Sequence, residues 1–265
     1  MPQTHANPKG HEQGFSLIEL LVVLGILTLV MGVVFNEIIR VQQRYRTEET
    51  KIDMFQQARE LIDQFVRDVH QAGYPNFKMY QPGILINPRE NDARNAAGLV
   101  AVSATEIRFE GDVDGDGQVD SVSYALTQGP DGNCPCSVRR SQVIKVNATA
   151  PLAQATSYNT AVDNVVNSGG TLIIGGTSPF PGAGGVVTTV ANNTLYAEYR
   201  NAPLFAAFDR NGNQVAMPVT IASNAQAIAS IKTIRITMNV LGNLPDPQTL
   251  MRPAVSLTAS ARINN

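Results

Sequence analysis

From Phe15 to Phe35 the chain is almost wholly apolar, and only Ser16, Glu19 and Thr28 interrupt the run. As a helix it would span about 31 Å, one hydrocarbon thickness of a bilayer. No break follows. "NEIIRVQQRYRTEETK" carries a helical pattern onward, and Ile52, Phe55, Ala58, Ile62, Phe65, Val66 and Val69 recur at spacings of three and four. That spacing makes one apolar stripe, which predicts a second half that is one-sided and needs a sheet to cover it. Glu37 with Arg40, Glu48 with Lys51, and Asp63 with Arg67 are spaced to pair along the exposed side. "AGYP", Ala72 to Pro75, ends the pattern. Gly73 suits a C-terminal turn, and Pro75 cannot continue a helix. The expectation is one helix of roughly 57 residues, about 85 Å long.

After Pro75 the pattern changes to short alternating runs. Strands are predicted over 83–87, 104–111, 121–126, 137–146, 171–175, 193–200, 204–209, 231–240 and 254–263. Turn residues such as "DGDG", "GPDG", "DRNGN" and "NLPDP" separate them. "IKTIRITMNV" puts Ile234, Ile236 and Met238 on one face, and with 254–263 it reads as an antiparallel hairpin. "SNAQAIAS" before Ile231 predicts a short helix, and "FDRNGNQV" a tight turn. The Gly-rich stretch 168–187 lacks the Lys-Ser/Thr of a phosphate-binding loop and reads as an ordinary loop. The fold class expected is α+β, a long N-terminal helix laid on an antiparallel sheet.

The chain has 265 residues and a net charge of −2, and in its first 14 residues Lys9 and Glu12 cancel. No basic face is implied, so nothing argues for nucleic acid. A secretory signal peptide is a poor description of the N-terminus. Such a signal has a shorter apolar core, a basic start and a small-x-small cleavage site. A plain membrane anchor explains the length of the run but not Glu19, because a lone acid in the bilayer costs about 3 kcal/mol and usually has a partner.

"GFSLIE", Gly14 to Glu19, followed by the apolar run, resembles the class III signal of type IV pilins and type II secretion pseudopilins. The resemblance implies a leader, residues 1–14, removed by prepilin peptidase after Gly14. It implies a methylated Phe15 as the new N-terminus and Glu19 as the assembly acid. In a filament Glu19 can meet the Phe15 amine of a neighbouring subunit, each charge removing the cost of the other. The implied organisation is a transmembrane half over 15–35, an amphipathic half over 36–73 and a β-rich head over 74–265. The implied partners are prepilin peptidase, other pilin or pseudopilin subunits and the bacterial inner membrane. The head would then be periplasmic until the subunit enters a pilus or pseudopilus.

Major pilins often have a proline within this helix, whereas here none occurs between Pro8 and Pro75. "FVRDVHQAGYP" is also similar to the helix end of PilW-like and GspJ-like minor pilins. These features and the large head imply a minor pilin, with a minor pseudopilin of type II secretion as the alternative. A membrane-tethered binding domain is the alternative from another class. It would tolerate Gly14→Ala and Glu19→Ala, which a pilin would not.

"DVDGDGQVD" is the stretch best suited to ligand chemistry. Asp112, Asp114, Asp116 and Asp120 hold positions 1, 3, 5 and 9 of a calcium loop, with Gly117 at 6 and the Gln118 carbonyl at 7. Ser123 stands where an EF-hand has its bidentate glutamate, so a complete EF-hand is not expected, and a turn built by aspartates is the alternative. Calcium is the one cofactor the sequence suggests. Cys134 and Cys136 are too few for a disulfide framework or a four-cysteine zinc site. They read as a local disulfide or as two turn thiols. His5 and His11 fall in the leader, which leaves His70 as the only histidine of a mature chain. No nucleophile motif accompanies it, and a structural rather than catalytic protein is expected.

Overall fold

The computed structural model describes residues 16–76, 92–128, 134–146, 157–167, 172–175, 187–190, 196–243, 246 and 251–263. The chain divides into two units, residues 1–46 and 47–265. Helix α1 is Leu17–Gln71, 55 residues long, which agrees with the length expected from the pattern. The Ser16 carbonyl opens it by accepting the amides of Glu19 and Leu20 at 3.0 and 3.1 Å. Its end is the one "AGYP" predicts. Gly73 takes φ 84°, and the Tyr74 N–H donates to the Gln71 carbonyl at 3.0 Å. Glu37–Arg40 and Glu48–Lys51 pair as expected, at 3.2 and 2.7 Å. Asp63 instead lies 3.8 Å from Arg59, while Arg67 donates to Gln64. Both neighbours of Asp63 are within one turn, and spacing alone does not choose between them.

The second unit is an antiparallel sheet with part of α1 on it. Its strands are β1 (Gly98–Val102), β2 (Glu106–Gly111), β3 (Asp120–Thr127), β4 (Cys136–Ile144), β5 (Asn159–Val165), β8 (Phe205–Asp209), β9 (Val219–Thr220), β10 (Ile231–Leu241) and β11 (Ala254–Arg262). The order is β11-β10-β5-β4-β3-β2-β1-β9, with β8 also on β10. Between β5 and β8 come β6 (Leu172–Gly175) and β7 (Val187–Val190), which pair with each other, and the short helix α2 (Ala197–Asn201). The architecture is α+β and pilin-like, as the sequence indicates.

The expected β10–β11 hairpin is present without a register shift, and Ile234, Ile236 and Met238 are all fully buried. "SNAQAIAS" lies in α3, Ile221–Ser230, which starts earlier because Thr220 and Ser223 cap each other. The "FDRNGNQV" turn closes with a single bridge, Phe208 to Gln214. The predicted strand over 193–200 is corrected: from Ala197 the chain makes one helical turn, α2. A run of eight residues is too short to tell the helical period from the strand period. Strands β1 and β5 were not expected. "NTAVDNV" is largely polar, and "GLVAV" is buried on nearly all sides and so shows no alternation. The predicted strand over 83–87 lies outside the described residues, as does most of the Gly-rich stretch.

Met54, Ala58, Leu61, Ile62, Phe65 and Val69 are the buried apolar side chains of α1, and they join the core of the sheet. Ile52 and Phe55 do not. They are 56% and 45% exposed, which corrects the expected stripe. A helix turns about 100° per residue, so Met54 and Leu61 can take the sheet-facing side only if Ile52 and Phe55 leave it. Phe65 is the centre of the contact, with its ring 5.3 Å from Tyr124 and 5.5 Å from Phe205. Each such side chain contributes roughly 1.5–3 kcal/mol by burial. Gly111 of β2 completes the fit, because a Cβ there would overlap the Gln71 carbonyl at the end of α1.

Candidate functional site

Two features bear on function, and the first is the start of α1. It contains the one helix segment among the described residues that is long and apolar enough to cross a membrane, and none of that segment is buried. The polar groups in it are treated differently. Thr28 donates its hydroxyl to the Leu24 and Gly25 carbonyls at 2.8 and 3.0 Å, so it carries no unmet donor. Glu19 sits in the first helical turn among the exposed side chains of Ile18, Leu20 and Leu21. It forms no hydrogen bond or ion pair through its carboxylate among the described residues. A carboxylate at a helix N-terminus is favoured by the backbone dipole, but only modestly. Gly14 and Phe15 lie outside the described residues.

The second feature is the β2–β3 hairpin loop. The Asp112 carboxylate accepts the Gly115 and Gly117 amides at 2.8 and 3.1 Å. Asp114 accepts the Asp116 amide at 3.2 Å, and Asp116 the Gln118 amide at 2.8 Å. Gly115 and Gly117 take φ 78° and 85°, a region that side-chain-bearing residues rarely adopt. Val119 is buried and anchors the loop, as expected. One oxygen each from Asp112, Asp114 and Asp116 lie within 4.8 Å of one another. Calcium–oxygen bonds of about 2.5 Å allow ligands across an ion to be about 5 Å apart, so this triad fits one cation.

Asp120 is not part of that triad. It is buried, and it shares the Gln142 amide with Asp114, at 2.9 and 3.1 Å. Burial, and then the charge of Asp114, push its pKa up to about 6. The Gln118 side chain turns back to Asp116 at 3.0 Å. Ser123 is buried in β3, with its hydroxyl 3.1 Å from that of Tyr158. A cavity of about 450 Å³ adjoins the loop, lined by Asp114, Asp116, Asp120, Arg140 and Gln142 among others.

Behind the loop is a polar network that periodicity does not reveal. Arg140 donates from Nη2 to Gln142 at 2.8 Å and from Nε to Asp68 at 2.8 Å. Asp68, fully buried in α1, also accepts the Tyr124 hydroxyl and the Gln64 amide, both at 2.6 Å. Burial and the Asp68 charge drive the Tyr124 pKa well up, so it stays a neutral donor. Burial works against the Arg140 charge, but Asp68 outweighs it and the pKa rises. A second buried pair, Lys145 and Glu110, meets at 2.6 Å, and Lys145 also donates to the Asn95 carbonyl. One signal was available: an acid at position 68 falls on the same helix face as Leu61 and Phe65, and such an acid needs a partner.

Cys134 and Cys136 form a disulfide at the entry to β4, with Cα atoms 4.4 Å apart and both residues buried. His70 is exposed near the end of α1.

Residues 9–35 match the family model described as the prokaryotic N-terminal methylation motif. Comparison with curated proteins and with solved structures finds no match. The matched segment is the class III signal of type IV pilins and pseudopilins. It implies processing by prepilin peptidase and assembly with pilin subunits.

Proposed function

We propose that this chain, which carries the class III signal, is a minor type IV pilin that starts or caps a pilus filament. Prepilin peptidase cuts after Gly14, and the new Phe15 amine is methylated. The apolar half of α1 holds the subunit in the inner membrane with its head in the periplasm. On extraction into the filament, the Phe15 amine of one subunit meets Glu19 of the next. The carrying observation is Glu19, an acid with no side-chain partner among the described residues, on an exposed apolar helix segment inside the matched motif. The pair removes a penalty of about 3 kcal/mol that a lone carboxylate would bear in lipid.

The test is intact-mass and N-terminal analysis of the full chain recovered from a membrane that contains prepilin peptidase. The expected product begins at N-methylated Phe15. Gly14→Ala should leave the leader attached, and Glu19→Ala should be processed but excluded from filaments. A product that retains Met1, or one cut after residue 35, overturns the reading. Loss of secretion with normal piliation on deleting the gene would reassign the subunit to a type II secretion pseudopilus.

The acidic loop supports a calcium ion held by Asp112, Asp114 and Asp116, with Asp120 and the Gln118 carbonyl nearby in sequence. The ion would neutralise a hairpin turn that otherwise gathers four carboxylates in nine residues.

A further inference from the structure

The two ends of the sheet are built differently. At one end, β9 is two residues long and runs directly into α3. At the other, β11 is nine residues long and pairs only with β10 among the described residues. Its ladder has no bulge, and its sequence, "AVSLTASAR", has no proline or lysine. A short strand, a bulge, a proline or a lysine ordinarily keeps an exposed edge from pairing, and β11 has none of them.

The phase of the ladder fixes which backbone groups are open. The Ile263 N–H donates to the Lys232 carbonyl and the Gly242 N–H to the Pro253 carbonyl, at 2.9 and 2.8 Å. Carried along the unshifted register, Val255, Leu257, Ala259 and Ala261 exchange their bonds with β10. Ala254, Ser256, Thr258, Ser260 and Arg262 therefore turn N–H and C=O outward, and these groups have no partner among the described residues. Another extended chain presents donors and acceptors at the same alternate spacing.

The side chains say what kind of chain. Val255, Leu257 and Ala259 pack against the core but stay half-buried, whereas Ile234, Ile236 and Met238 one strand inward are fully buried. A strand beside β11 would cover that side with apolar residues of its own, a small one beside Leu257 and larger ones beside Ala259 and Ala261. On the opposite face Ser256, Thr258, Ser260 and Arg262 are exposed. Arg262 is the strand's only charge and forms no ion pair among the described residues. The complement is a strand with an acid at that end. A second copy's β11 does not supply it, because it contains no acid.

We propose that the outer edge of β11 takes up an extended peptide strand from a different protein, antiparallel to β11, with alternate apolar residues on the core side and an acid beside Arg262.

The probe is a fluorescent nine-residue peptide that begins with aspartate and then alternates apolar residues with threonine. Binding to the full chain in non-ionic micelles is read by anisotropy, and hydrogen exchange reports the edge amides. The peptide should bind saturably and slow exchange at Ser256, Thr258 and Ser260. Methylating the backbone nitrogens of its threonines should weaken it at least about tenfold, because their N–H groups face β11. Thr258→Pro should weaken it about as much while leaving the unfolding midpoint nearly unchanged, since that N–H is not used by β10. If the midpoint does fall, the methylated peptide decides. Arg262→Glu should cost about threefold, and a peptide beginning with lysine should recover it. Absence of binding overturns the proposal, as does equal binding of the methylated peptide. A chain that dimerises in sedimentation, and whose dimer the peptide dissociates, overturns it too, by making a second copy the occupant.

Discussion

Replacing Asp68 tests whether the polar network holds α1 on the sheet. Asp68 is fully buried and accepts from Tyr124, Arg140 and Gln64. Asp68→Ala leaves the buried Tyr124 hydroxyl without its acceptor and the Arg140 charge without its counter-ion. Breaking a fully buried ion pair costs about 3–5 kcal/mol. Arg140 keeps 21% of its side chain exposed and still reaches Gln142, which places the expected cost near the lower end, about 3 kcal/mol. Asp68→Asn keeps an acceptor oxygen and loses only the charge, for about 1.5 kcal/mol. Tyr124→Phe removes one donor and leaves Asp68 its other two, for about 1 kcal/mol. The assay is urea unfolding of the full chain in non-ionic micelles, followed by tyrosine fluorescence, since the sequence has no tryptophan. The ranking, with Ala worst and Phe mildest, carries the reasoning. A loss below about 1 kcal/mol for Asp68→Ala, or equal losses for Ala and Asn, would refute it.

Gly111→Ala should cost about 2–3 kcal/mol in the same unfolding assay, because its Cβ would overlap the Gln71 carbonyl and backbone cannot swing aside. An unchanged midpoint would mean that the end of α1 is not seated against β2. For the acidic loop, calorimetry should detect calcium binding, and at 100 times Kd the ion should add about 2.7 kcal/mol of stability that chelator removes. Asp114→Asn with Asp116→Asn should abolish both effects. No heat of binding together with a chelator-insensitive Tm would leave the loop as an aspartate-built turn.

What the sequence determined by itself is local. The run from Phe15 to Phe35, the i, i+3, i+4 spacing after it and the Gly73–Pro75 stop specify one helix. Hydrogen bonds between neighbours along the chain and bulk hydrophobicity make a helix, and both are written in consecutive residues. The alternation of Ile234, Ile236 and Met238 specifies a half-buried strand for the same reason, and the spacing of Asp112, Asp114 and Asp116 a curled loop. The processing motif is legible because an enzyme must read it from a short stretch.

The tertiary structure decided what depends on partners far away in sequence. Periodicity shows that α1 has apolar sides. Only the sheet's shape selects Met54 and Leu61 for burial and leaves Ile52 and Phe55 outside. β5 has too few apolar residues to announce itself and exists because β4 and β10 offer it edges. Asp68 and Arg140 stand 72 residues apart, and no spacing rule links them. Burial makes each intolerable alone, and the fold supplies each to the other.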